Sequence, residues 1–197
     1  MKRSTMLLFV LAFVVVTAVP TFAATITFAH IGFGSGTLGG TPFTTSGFTI
    51  TAQGDTNNRD NFLGGYYIDH DWASISITGL GTYQFTTGTR TFVNNIGPLV
   101  GFSRSENFLD LFDGPYNDAF ATWDMLSPIG PITGTGQLLQ WGLSPSVVTN
   151  AGVLVFSNSG FEAATFVATS VPEPSTVMLL GSGLLGLAGF GRKKFKK

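Results

Sequence analysis

Apolar and polar residues alternate with a period of two through the middle of the chain. Ala73-Ser74-Ile75-Ser76-Ile77-Thr78 sets Ile75 and Ile77 on one face and Ser74, Ser76 and Thr78 on the other, and Phe48-Thr49-Ile50-Thr51 and Thr165-Phe166-Val167-Ala168 repeat the pattern. This is the period of a half-buried strand. Between clusters of Gly, Pro, Asn, Asp and Ser, it predicts strands over 25–33, 43–52, 73–78, 83–86, 89–93, 99–103, 108–112, 119–125, 137–141, 152–156 and 164–169. No window sustains a helical period with caps. Short strands at close spacing predict an all-β domain, an antiparallel β-sandwich or jelly roll of about 8–10 strands, with first and last strands near each other. The expected core is Phe28, Phe48, Ile75, Ile77, Phe85, Phe92, Phe120, Trp123, Leu139, Val155 and Phe166. Ser and Thr on the alternate positions suit a solvated outer face.

The two ends follow a different pattern. Lys2 and Arg3 precede an uninterrupted run over residues 7–19, then Pro20-Thr21-Phe22-Ala23. As a helix that run rises only ~20 Å, short of the ~30 Å hydrocarbon core. It reads as a signal peptide over residues 1–23, cut by signal peptidase after Ala23. At the other end, Val171-Pro172-Glu173-Pro174-Ser175 is a stiff spacer, because each proline removes a donor and restricts the residue before it. Residues 176–191 carry no charge and would reach ~24 Å as a transmembrane helix. The basic tail 192–197 then acts as a stop-transfer element through Arg192, Lys193 and Lys194, held inside by the positive-inside rule. The expected arrangement is a domain over 24–170 outside and the tail inside.

Those three parts, in this order and spacing over 171–197, resemble the PEP-CTERM sorting domain of Gram-negative bacteria that make exopolysaccharide. The resemblance implies an exosortase-like processing enzyme that recognises Pro172, Glu173 and Pro174. It further implies a transient inner-membrane anchor, followed by release or transfer of the domain to the cell surface or extracellular matrix. It covers the tail alone and assigns no task to the middle.

Charge changes the picture of that middle. Seven of the ten basic residues lie in the two ends, and 24–170 holds Arg59, Arg90 and Arg104 against ten acids, a net charge of −7 without one lysine. Such a domain repels a polyanion, which excludes electrostatic binding of nucleic acid. Zero cysteine excludes a disulfide framework, thiol catalysis and Cys-ligated zinc.

Candidate chemistry gathers in a few runs. In Tyr66-Tyr67-Ile68-Asp69-His70-Asp71-Trp72, a strand would point Asp69 and Asp71 one way and His70 the other, whereas a loop would converge all three on a metal ion. Asp55-Thr56-Asn57-Asn58-Arg59-Asp60-Asn61 offers oxygens at calcium-like spacing, but Arg59 falls where a ligand belongs and no glycine follows, so a solvated turn is the expectation. Asp110, Asp113, Asp118 and Asp124 make a second acidic stretch. Tyr66, Tyr67, Trp72 and Trp123 are the candidate platforms for stacking on sugar rings. His30 and His70 are the only histidines, no Gly-x-Ser-x-Gly elbow accompanies them, and Gly32-Phe33-Gly34-Ser35-Gly36 lacks the lysine and helix of a phosphate loop. The sequence therefore points to a non-enzymatic structural or adhesive β-sandwich needing no cofactor beyond a calcium ion at most. A carbohydrate-binding module is the sharper alternative, and an extracellular hydrolase, needing two carboxyls across a cleft, is the rival class.

Overall fold

The alternating burial of Thr25-Ile26-Thr27-Phe28-Ala29-His30, inward at every second residue, opens the first strand of a computed structural model that describes residues 25–171 and Gly181. The expected signal peptide, the Pro172–Pro174 triplet, the apolar stretch 176–191 apart from Gly181, and Arg192, Lys193 and Lys194 lie outside the described residues. The strands are β1 (Thr25–Leu38), β2 (Thr41–Asp55), β3 (Asp60–Phe62), β4 (Gly65–Asp69), β5 (Trp72–Ile77), β6 (Gly81–Gln84) and β7 (Thr89–Asn94). They continue as β8 (Leu99–Arg104), β9 (Asp110–Tyr116), β10 (Ile129–Leu138), β11 (Val148–Thr149), β12 (Gly152–Phe156) and β13 (Glu162–Ser170). Short 3-10 turns at Thr56–Asn58 and Asp118–Ala121 are the helical pieces within 25–171, and no helix among the described residues is long and apolar enough to cross a membrane.

All pairings are antiparallel, in the order β3-β4-β7-β8-β9-β10-β13-β1-β2-β5-β6, with β12 on the far half of β1 and β11 beside β12. This sheet folds over into two layers, an open sandwich. β10 belongs to both: its residues 129–136 pair with β13, while Gln137 and Leu138 pair with β9. First and last strands lie side by side, from Ile26 opposite Ser170 to Ile31 opposite Thr165, as expected. Between the layers, Phe48, Ile50, Ile75, Phe102, Phe112, Trp141 and Phe156 form one cluster, and Ile26, Phe28, Val93, Phe120, Trp123 and Phe166 another. Each such side chain contributes roughly 1.5–3 kcal/mol of transfer free energy.

The all-β class holds, with thirteen strands where about 8–10 were expected. The expected strand 119–125 is a correction: Asn117 accepts from the Ala119 amide at 3.0 Å and caps a 3-10 turn there, leaving Phe120 and Trp123 to plug the core from a loop. Strand β10 begins eight residues before the expected 137 because Pro131 sits where the register with β13 shifts, a position that tolerates a missing donor. Phe92, Leu139 and Val155 are only half-buried, whereas His30 and Arg104 are fully enclosed.

Candidate functional site

Strand β4 divides the Tyr66–Trp72 run by its own alternation. Ile68 faces the core, Tyr66 packs against it, and Tyr67 and Asp69 face outward. The chain then crosses from one layer to the other: the His70 amide donates to the Thr89 carbonyl, and the Asp71 amide to the Gln53 carbonyl. Asp69, His70 and Asp71 therefore do not converge. The His70 ring goes inward, its Nδ1 and Nε2 each 2.9 Å from the Thr89 and Thr91 hydroxyls, stacked 5.7 Å from Phe102. Thr91 Oγ1 also lies 3.0 Å from His30 Nε2, so a single hydroxyl joins the two histidines. Burial holds His30 down at about 3 and pushes His70 well below the usual imidazole range, the neighbouring His30 and Arg90 adding to it, so both rings are neutral. Among the described residues, no three His, Cys, Asp or Glu side chains gather to hold a metal ion.

On the outward face of the β4-β7-β8-β9 layer, Asp69 meets Arg90, its neighbour across the strands, in a 2.8 Å ion pair. The Arg90 guanidinium lies 4.2 Å over the Tyr67 ring and 4.2 Å over the Phe108 ring, and it donates to the Ser105 carbonyl. Two aromatic faces around one cation satisfy its charge through the ring quadrupoles. Arg90 is buried by this packing, and its Nη1 has no hydrogen-bond partner. The Tyr67 hydroxyl donates to Asp60 at 3.0 Å, and burial together with the Asp60 carboxylate raises its phenol above the ordinary value. Phe108 is 60% exposed and holds a left-handed backbone, φ 56°, which costs a non-glycine residue on the order of 1–2 kcal/mol. An exposed ring is thus kept in place against backbone strain.

Beside this stack, Phe92 crosses Gly101, where a Cβ would come 2.3 Å from the Phe92 ring and 3.0 Å from Asp113 Oδ1. The missing side chain is what lets ring and carboxyl approach the strand. Burial raises Asp110 to about 6, and burial with the nearby Asp110 raises Asp113 to about 7. Asp113 Oδ1 is enclosed without a partner. At neutral pH this edge presents one carboxyl partly protonated, able to donate as well as accept.

The other candidate residues fall elsewhere. Trp72 is 37% exposed on the outer face of the opposite layer, its Nε1 donating to Gln53 Oε1 at 2.7 Å, so it does not share a surface with Tyr67. Trp123 takes the core role, 5.5 Å from Phe166 and donating to the Ser127 carbonyl. Tyr66 is half-buried under Arg59, 4.4 Å above its ring. In the calcium-like run, Asp55 Oδ1 accepts from the Asn57 amide, Asp60 Oδ1 accepts from the Asn61 amide, and Arg59 reaches Asp124 at 3.5 Å. Asp118 opens the second 3-10 turn. Arg90 and Phe108 were not singled out by sequence reasoning. The available signal was that Arg90 is one of only three arginines in a lysine-free domain.

Residues 170–193 match the family model of the PEP-CTERM protein-sorting motif. No curated protein and no solved structure matches the chain. The motif supports export and sorting by an exosortase-like system, and hence a surface-directed protein.

Proposed function

We propose that this chain delivers an acidic, lysine-free β-sandwich to the cell surface or exopolysaccharide matrix of a Gram-negative bacterium, where it acts as a structural or adhesive module in biofilm. The signal peptide 1–23 starts export, and segment 176–191 with Arg192, Lys193 and Lys194 anchors the chain transiently in the inner membrane. Pro172, Glu173 and Pro174 present it to the processing enzyme. With Pro172→Ala and Glu173→Ala together, the full-length chain stays in the inner-membrane fraction; unchanged release of that variant sinks the sorting role.

The adhesive role rests on Phe108, an exposed ring held against backbone strain over Arg90 beside Tyr67. Stacked faces with a hydroxyl and carboxyls nearby suit a neutral polysaccharide, since a charge of −7 disfavours an acidic one. Affinity electrophoresis in gels cast with the producer's polysaccharide tests this. Phe108→Ala weakens retardation at least tenfold, Trp72→Ala leaves it unchanged, and equal retardation of wild type and Phe108→Ala refutes the assignment.

A second reading, an extracellular hydrolase, is favoured by one observation: Asp113 near 7 is a suitable general acid beside Asp110. Release of new reducing ends, lost in Asp113→Asn while binding persists, would select it over the adhesive role.

A further inference from the structure

We infer that one pole of the sandwich is a lipid-docking surface, used while the chain is tethered by its sorting segment. The inference rests on the reading of 176–191 as a membrane anchor and adds a role for the folded domain itself.

The described chain ends at that pole. Ser170 is opposite Ile26, and the Val171 amide donates to the Thr25 carbonyl at 2.9 Å. The strand register brings two hairpin tips to the same end. Gly65 is paired with Asn94 and Asn94 with Leu99, so the β3–β4 and β7–β8 turns stand side by side. Their tips are Leu63, 97% exposed, and Ile96, 77% exposed. Ile96 lies against Gly64, the residue after Leu63, where an added Cβ would meet the Ile96 Cδ1 at 2.8 Å. Asn95 Nδ2 donates to the carbonyls of Phe120 and Trp123, fixing the neighbouring loop that carries half-exposed Leu126 at this end.

Nothing in the packing of the domain requires aliphatic side chains at turn tips, where Gly, Asn and Asp serve better. Two adjoining tips of this kind suit an apolar partner outside the domain, and the tether says where one lies. Four residues, 172–175, separate Val171 from the apolar stretch 176–191. At ~3.3–3.6 Å per residue they span less than about 20 Å. The pole is therefore held within reach of the headgroup layer. Its charges are acidic, Asp55, Asp60, Asp118 and Asp124, against Arg59, which is already bound to Asp124. Attraction to anionic headgroups is absent, so the contact is apolar and favours a zwitterionic surface.

The cysteine-free chain permits a direct test. Leu63→Cys, Ile96→Cys and, at the opposite pole, Val153→Cys are labelled with a polarity-sensitive dye in the full-length chain. Each is reconstituted into phosphatidylcholine vesicles containing a lipid-borne nitroxide quencher. Quenching at 63 and 96 at least fivefold stronger than at 153 is the expected result. If the chain floats with the vesicles but the three positions are quenched alike, and only by aqueous iodide, docking is overturned while the anchor stands. If the chain does not float with the vesicles, the anchor fails and docking with it. If, in native membranes, positions 63 and 96 are shielded from iodide without lipid quenching, the tips belong to a protein partner and lipid docking is overturned.

Discussion

Acidification should destabilise this fold through its buried histidines, and the size of the effect follows from His30. In the folded domain that ring is 0% exposed, shares the Thr91 hydroxyl with His70, and leaves Nδ1 without a partner. An orphaned acceptor is less costly than an orphaned N–H, so His30 carries its proton on Nε2 and donates to Thr91, which donates on to His70 Nε2. Neither ring has room for a second proton. His30 titrates at about 3 when folded, against 6.5 for the ordinary imidazole. Between those values the unfolded chain binds a proton that the folded chain refuses, so stability is fully present above pH 6.5 and is lost as pH falls toward 3. At pH 4.5 the loss is about 3 kcal/mol for His30 alone, and His70 adds in the same direction. Asp110 and Asp113 oppose it. Their folded values are raised, so the native state binds the extra protons and their contribution improves on acidification. The clean background is therefore Asp110→Asn with Asp113→Asn. Urea unfolding of that variant, followed by fluorescence of the buried Trp123 and Trp141, should lose about 3 kcal/mol or more between pH 7.5 and 4.5. The wild type should lose less. A variant whose stability is flat or rising over that interval would refute the neutral histidine pair.

Two further substitutions test the packing account. Gly36→Ala places a Cβ 2.1 Å from the Val155 carbonyl oxygen and should cost roughly 1–3 kcal/mol in urea unfolding, whereas Gly97→Ala, with nothing within 4 Å, should be close to neutral. Arg104 is 1% exposed, bonds only the Leu143 carbonyl through Nη2, and leaves Nε and Nη1 unpartnered, so Arg104→Met keeps the stem's packing and should stabilise by about 1–3 kcal/mol. A destabilised Arg104→Met would mean that the guanidinium has a partner not accounted for.

What the sequence revealed and what it hid divide along the distinction between local and long-range causes. The buried faces of β2 and β5, which the structure pairs with Ile50 opposite Ile75, were legible because alternation is a property of adjacent residues and each strand announces its own buried face. Strand β10 was hidden because Gly130, Pro131, Gly134 and Gly136 carry the local signature of a turn. They belong in a strand only because neighbouring backbone approaches closely: a Cβ on Gly134 would come 2.6 Å from the Tyr116 carbonyl oxygen. The candidate site follows the same rule. Tyr67 and Asp69 were visible as a dense polar and aromatic run, yet the run itself contributes only half of the arrangement. Arg90 arrives from the strand paired with β4, and Phe108 from a turn that the register of β8 and β9 places above it. Conversely, His70 and Trp72, which stand beside those residues in the chain, are sent to the core and to the opposite face, because the crossing at Asp71 separates the two layers. Proximity in sequence is therefore a poor guide to a shared surface in a sandwich. A strand offers alternate residues to opposite faces, and a crossing exchanges the layers, so any site wider than one strand is assembled by register.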